Sequence, residues 1–305
     1  MKQNHLLSIA DLSGDEILSL IYNAIELKKT VWTETLKHKS LAILFEKQSA
    51  RTRVSFDLAM NQLGGHAIYL SQAEVGLGTR ESVPDVARVL GRYVDAIAAR
   101  TYSHQTIEIL AEYAGVPVIN ALSDYEHPCQ ALADLQTIYE KKGTLKGITL
   151  AYIGDGNNIA NSLALASALT GMNFRIASPE GYSLTKDVKK QVEKYTLHSG
   201  AIITFTSSPE EAVTGADVVY TDVWASMGQE DEAEERRKIF AHYQIDEKLM
   251  ALAKDDAIFM HDLPAHRGEE VTDKVIESAQ SVVFDQAENR LHAQKALLIK
   301  FLGNS

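Results

Sequence analysis

Short apolar runs alternate with amphipathic stretches along almost the whole chain. Runs at residues 41–45, 67–70, 95–100 and 116–122 have strand length, and between them residues 52–63, 83–93 and 105–113 repeat apolar positions at helical spacing. Ser82 with Asp85 three residues on makes a capping-box pattern before the second of these helices. A longer helix is expected from about 128 to 141, because Lys141-Lys142-Gly143 supplies a basic last turn and a glycine for a left-handed cap. Five more strands are expected at 148–154, 174–178, 202–205, 218–223 and 257–261. The final stretch, 285–302, reads as one helix by the spacing of Leu291, Ala296, Leu297 and Phe301.

Strands alternating with helices imply parallel sheets, and strands covered on both faces can be continuously apolar. The expected fold class is α/β, with two doubly wound domains of parallel sheet linked by long helices. A length of 305 residues suits two domains. The expected boundaries are 1–143, 144–284, and 285–305 as a C-terminal helix packing back on the first domain.

Composition narrows the partners. The excess of 41 acidic over 30 basic residues gives a net charge of -11, which argues against nucleic acid. A single cysteine, Cys129, excludes an internal disulfide and a thiolate metal cluster. No run approaches the ~20 apolar residues of a membrane span and the N-terminus has no signal-peptide core, so no membrane is expected and the cytoplasm is the default location. The charged run at 230–238 reads as a solvated helix face.

In doubly wound proteins ligands sit beyond the carboxyl ends of the strands, and several polar clusters fall there. Ser49-Ala50-Arg51-Thr52-Arg53 joins a strand to a helix, where unpaired N–H groups and the helix dipole favour an anion and a guanidinium grips phosphate bidentately. Arg100 ends its strand, and His127-Pro128-Cys129-Gln130 opens the long helix. His127 can polarise a carbonyl, and Gln130 can hydrogen-bond both ways. Taken singly, these residues also suit ordinary helix caps and surface positions.

In the second half Gly154-Asp155-Gly156-Asn157-Asn158 follows a strand and opens a helix. It approaches a dinucleotide fingerprint, with Glu180 placed to serve a ribose, but Ile159 stands where a small residue is needed. Asn157 and Asn158 suit a carboxylate at least as well. The segment Asp222-Val223-Trp224-Ala225-Ser226-Met227-Gly228 offers an Asp and a Ser to an ammonium group, or is a simple turn. His261 and His266 flank Asp262, Leu263 and Pro264, a spacing unlike the helical pair of a zinc site, so no metal is expected.

With these clusters in order, the chain resembles the ornithine branch of the aspartate/ornithine carbamoyltransferase family over essentially its full length. The family's Ser-Thr-Arg-Thr-Arg, His-Pro-x-Gln, Asp-x-x-x-Ser-Met-Gly and His-Cys-Leu-Pro motifs read here as residues 49–53, 127–130, 222–228 and 261–264, with Phe284-Asp285-Gln286-Ala287-Glu288-Asn289-Arg290 near the end. Aspartate carbamoyltransferases lack the Ser-Met-Gly loop.

The resemblance implies an enzyme that moves the carbamoyl group of carbamoyl phosphate to the δ-amine of L-ornithine, giving L-citrulline and phosphate, with no cofactor. It implies that Ser49, Ala50 through its backbone, Arg51 and Thr52 hold the phosphate. Arg100, His127, Gln130, Arg290 and the backbone of Leu263 would hold the carbamoyl end. Asn158, Asp222, Ser226 and Met227 would bind ornithine, and Arg100, His127, Thr52 and Asp262 would act on the reacting atoms.

The first domain would then bind carbamoyl phosphate and the second ornithine. A homotrimer or a multiple of trimers is implied, with a loop matching residues 71–81 reaching a neighbouring subunit. The implied setting is amino-acid metabolism, with arginine biosynthesis or catabolism left open. Other amine acceptors (putrescine, lysine or N-acylated ornithine) and a non-catalytic ligand-binding relative are the alternatives. Three positions depart from the family: Ala50 for Thr, Gly76 for the Gln that crosses the interface, with Arg80 as a substitute, and Asp262 for Cys.

Overall fold

The computed structural model describes residues 5–225 and 230–303. The chain divides into two compact units, one of residues 1–136 with 288–305 and the other of residues 137–287.

The first unit holds a parallel sheet of β1 (Ser40–Phe45), β2 (His66–Ser71), β3 (Ala96–Arg100) and β4 (Val118–Leu122), in the order β2-β1-β3-β4. Helices Ala50–Gln62, Val83–Leu90 and His104–Tyr113 connect the strands. β1 is buried apart from Ser40 at its start and β3 is buried throughout, Arg100 included, and one face of the sheet packs on Val86, Ile107 and Leu110. Helix Val83–Leu90 stops three residues short of the expected 93. A Cβ on Gly91 would lie 1.6 Å from the Ala114 carbonyl oxygen, so the chain turns where only glycine fits.

The second unit holds β5 (Thr149–Ile153), β6 (Asn173–Ala177), β7 (Ile203–Thr206), β8 (Val218–Tyr220) and β9 (Ile258–Met260), all parallel, in the order β7-β6-β5-β8-β9. Its core gathers Ile153, Val219, Phe240, Phe259 and Val275. All nine expected strands are therefore present among the described residues, and the fold class is two doubly wound parallel sheets. The last helix runs Val283–Leu302, two residues longer at its start than its pattern suggested. No helix among the described residues is long and apolar enough to cross a membrane.

The strand orders carry the functional information. In the first sheet the chain leaves β1 for β2 on one side and returns to β3 on the other, so the switch point lies between the carboxyl ends of β1 and β3. In the second it lies between β5 and β8. A crevice at such a switch point is where open α/β sheets bind ligands.

Candidate active site

At the first switch point β1 runs through Phe45 into helix Ala50–Gln62. Ser49 is the N-cap, its hydroxyl accepting from Thr52 N at 3.3 Å and donating to Thr52 Oγ1 at 3.0 Å. Arg290, from the last helix, donates to Thr52 Oγ1 at 2.6 Å, which joins the Arg290 segment to this helix start. Ala50 opens the helix and needs no side chain to offer its N–H. Arg53 is turned away: its guanidinium stacks 3.9 Å above the Tyr69 ring, leaving Arg51, which is exposed, as the arginine of the pair suited to an anion.

The neighbouring strand end supplies Arg100, and the segment after β4 supplies His127 and Gln130; all three are buried. His127 also caps the next helix, its carbonyl accepting from Gln130 N and Ala131 N. Burial first, then the positive charges of Arg290 and Arg100, hold the His127 pKa well below the usual histidine value. The imidazole is thus neutral at pH 7. Gln130 donates from Nε2 to Asp134 Oδ1 at 2.8 Å. Because a carboxylate only accepts, this fixes the amide orientation, and Gln130 Oε1 is a buried acceptor with no partner among the described residues. Burial pushes the Cys129 thiol up to about 12, so it is no nucleophile.

At the second switch point, β5 leads through Gly154 and Gly156 into helix Asn158–Thr170. A Cβ on Gly156 would sit 2.5 Å from Ser183 C and 2.6 Å from Leu184 N, so this glycine serves a close backbone approach within the protein. Asn157 caps the helix with Oδ1, accepting from Ile159 N at 3.0 Å and Ala160 N at 3.1 Å, and Asn158 Oδ1 also accepts from Ile159 N at 2.9 Å. Ile159, buried, occupies the position where a dinucleotide fingerprint needs a small residue, so the fingerprint stays incomplete.

Asp222, just past β8, is buried. Its Oδ2 accepts from Asn157 Nδ2 at 2.6 Å and its Oδ1 from Val223 N at 2.7 Å. Tyr152 stacks on Tyr220 and donates its hydroxyl to Asn157 Oδ1 at 3.2 Å. Burial and then the nearby carboxylates of Asp222, Asp155 and Asp262 raise the Tyr152 pKa well above the usual phenol value, so it remains a neutral donor.

Asp262 and Leu263 follow β9. Ligand atoms of Asp222, His261 and Asp262 lie within 4.8 Å of one another. His261 does not suit a metal, however: Nδ1 accepts the Leu263 N–H at 2.9 Å and Nε2 faces Glu270 Oε1 at 3.2 Å, so both nitrogens are engaged.

The structure thus gathers Ser49, Arg51, Thr52 and Arg290, with Arg100, His127 and Gln130 at the neighbouring strand ends, in one unit, and Asn158, Asp222, Asp262 and Leu263 in the other. Ser226 and Met227 lie outside the described residues. Pattern reasoning missed Asn157 as the direct partner of Asp222; its position immediately before a helix was the available signal. It also read residues 230–238 as solvated, whereas Arg236 is buried, bound to Asp155 at 2.8 Å, the Trp224 carbonyl at 2.9 Å and Glu232 at 3.0 Å. At residues 71–81, Gly76 ends a short helix at φ +66, where a Gln would be strained, and the Arg80 guanidinium donates back to the Glu74 carbonyl.

A helix start with arginines beside it at one switch point and a buried carboxylate at the other are chemically suited to an anion and a cation, each at the ligand position of a parallel α/β sheet. The family model for the carbamoyl-P binding domain of aspartate/ornithine carbamoyltransferase matches residues 4–140, and that for the Asp/Orn binding domain matches residues 146–301. The chain belongs to the aspartate/ornithine carbamoyltransferase family.

It is 55% identical to the ornithine carbamoyltransferase of Archaeoglobus fulgidus, over 98% of this chain and 97% of that protein. It is 54% identical to the ornithine carbamoyltransferase, anabolic, of Pyrococcus furiosus, over 98% of this chain and 96% of that protein. A solved structure of the Pyrococcus furiosus enzyme superposes with a TM-score of 0.96 at 53% identity, covering 99% of this chain and 98% of that one.

Proposed function

We propose that this chain transfers the carbamoyl group of carbamoyl phosphate to the δ-amine of L-ornithine, giving L-citrulline and phosphate. In this reading Ser49, the Ala50 backbone, Arg51 and Thr52 take the phosphate, supported by the helix start and the Arg290 contact to Thr52. Arg100, His127, Gln130, Arg290 and the Leu263 backbone take the carbamoyl group. The free acceptor of Gln130 suits the carbamoyl NH2, and the neutral His127 ring offers a donor to the carbonyl without a third positive charge beside two guanidiniums.

The observation that carries the acceptor assignment is Asp222, a buried carboxylate held by Asn157 at the second switch point. It suits an α-ammonium, which N-acylated ornithine lacks, and Asn158 beside it suits an α-carboxylate, which putrescine lacks. Ser226 and Met227 are assigned to the same amino-acid end.

The neutral δ-amine attacks the carbamoyl carbon, forming the N–C bond and a tetrahedral oxyanion. Arg100, His127 and Thr52 are the donors assigned to stabilise that charge, and donors fixed in advance are worth most in a buried setting. Collapse breaks the C–O bond and releases phosphate, which accepts the amine proton. Asp262 is assigned to the amine end, and no metal or organic cofactor enters the reaction.

A homotrimer and a cytoplasmic setting in arginine biosynthesis belong to the same proposal. They rest on kinship and, for the setting, on the anabolic Pyrococcus furiosus relative. Incubating the protein with carbamoyl phosphate and ornithine and measuring citrulline tests the reaction. Citrulline at enzymatic rates is expected, and none with an intact, folded protein would overturn it.

A further inference from the structure

The segment from residue 261 to 270 contains a buried polar pair that the reaction scheme leaves unused. His261 and Glu270 are both fully buried. Leu263 N donates to His261 Nδ1 at 2.9 Å, so Nδ1 carries no proton and the ring proton sits on Nε2. Nε2 in turn lies 3.2 Å from Glu270 Oε1, which also accepts from His266 N at 2.5 Å. One carboxylate oxygen therefore ties down both limbs of the loop. A carboxylate can only accept, so it permits one tautomer of His261, the one whose Nδ1 is open to Leu263.

Two features mark this arrangement as more than packing. Leu263 has φ +59, a left-handed conformation that costs a non-glycine residue free energy and persists only when its surroundings hold it. In addition, Glu270 Oε2 is buried with no partner among the described residues. An apolar side chain would fill the site without that desolvation penalty.

We propose that Glu270 is a positioning residue for the carbamoyl transfer. By fixing the His261 tautomer it holds Leu263 in its left-handed turn, and so aims the Leu263 carbonyl and the Asp262 side chain at the reacting atoms. This rests on the assignment of Asp262 and Leu263 to the reacting ends of the substrates. The cost of losing it falls mainly on turnover, because of the carbamoyl phosphate contacts only the one at the Leu263 backbone is displaced, while the phosphate contacts belong to residues 49–52 and the α-amino acid contacts to Asp222 and Asn158.

The test is a set of variants assayed for citrulline formation, with carbamoyl phosphate affinity measured by calorimetry. Glu270→Leu removes the acceptor and leaves the tautomer free. A displacement of about 1 Å can cost on the order of 100-fold in rate, so kcat should fall by roughly 10- to 100-fold while carbamoyl phosphate affinity falls by no more than about fivefold, the share of the one neutral contact at Leu263. Glu270→Gln, whose amide oxygen can accept from both Nε2 and His266 N, should recover most of the lost kcat.

His261→Asn puts an amide oxygen near the position of Nδ1 and severs the link to Glu270. Adding Glu270→Leu to it should lower kcat further by less than about threefold, since coupled residues are non-additive. Wild-type kcat in a folded Glu270→Leu protein overturns the proposal, as does a Glu270→Gln variant no better than Glu270→Leu, or full additivity with His261→Asn. If Glu270→Leu does not fold, His261→Asn alone decides: a kcat roughly 10- to 100-fold below wild type is expected, and wild-type kcat in the folded variant overturns the proposal. Wild-type protein that makes no citrulline would instead overturn the reaction assignment, and the two failures are told apart in one series.

Discussion

Replacing Arg236 by Met should destabilise the second unit far more than a change within a charged run would suggest. The side chain is 8% exposed and pairs with Asp155, itself 12% exposed, at 2.8 Å. Its bond to Glu232 adds little, because that partner is 59% exposed and such pairs contribute about 0–1 kcal/mol. Met fills similar volume but leaves Asp155 as a buried, unpaired charge and the Trp224 carbonyl without its donor. Breaking one side of a buried pair costs about 3–5 kcal/mol. At about 2–4 °C per kcal/mol for a unit of this size, the melting temperature should drop by roughly 6–20 °C.

The pH dependence gives a second handle. Burial raises the Asp155 pKa above its ordinary value and Arg236 opposes that rise, so the variant raises it further. An acid whose folded pKa exceeds its unfolded pKa carries no penalty below the unfolded value and the full penalty above the folded one. The loss should therefore be larger at pH 8 than at pH 5, and Asp155→Asn in the same protein should recover much of it. Denaturant titrations at the two pH values read this directly. A loss under about 1 kcal/mol, or one equal at both pH values, would refute the account of Arg236 as partner of a buried charge.

Three shorter expectations accompany it. Arg51→Ala should weaken carbamoyl phosphate binding by about 1.5–3 kcal/mol in calorimetry, with an unchanged melting temperature because Arg51 is exposed. His127 is neutral in both folded and unfolded states above the usual histidine pKa. As pH falls below about 6.5 the unfolded chain takes up the proton first, so stability should decline there, and His127→Gln should flatten that acid limb in unfolding titrations. Asp262→Cys should move the pH–rate profile toward lower pH and raise the ornithine KM, since a carboxylate beside the δ-amine favours its unreactive ammonium form.

The strands and several helix starts were legible because they depend on local pattern: continuous apolar runs of strand length, and Ser49 and Ser82 acting as N-caps. The features that escaped depend on contacts between distant segments. Helix Val83–Leu90 is capped at Gly91 where the Ala114 carbonyl leaves no room for a side chain, which no pattern around Gly91 reveals. Arg236 sits in a run of alternating charges, and only the fold brings Asp155 to it. Glu270 looks like one of two adjacent surface glutamates, yet Glu269 is partly exposed and pairs with Arg237 whereas Glu270 is buried against His261. Asn157 and Asn158 are neighbours in sequence, and the choice between them as the anchor of Asp222 rests on which one caps the helix.

The most direct measurement is the acceptor specificity of the purified protein, as kcat/KM with carbamoyl phosphate and, in turn, L-ornithine, L-lysine, putrescine and N-acetyl-L-ornithine. A site built on Asp222 and Asn158 should favour L-ornithine over putrescine and N-acetyl-L-ornithine by at least about 100-fold, because putrescine lacks the α-carboxylate assigned to Asn158 and N-acetyl-L-ornithine lacks the α-ammonium assigned to the buried Asp222. Asp222→Asn should erode that preference while sparing carbamoyl phosphate affinity. Equal or better turnover of N-acetyl-L-ornithine or putrescine would contradict the assignment of the second switch point to a free α-amino acid.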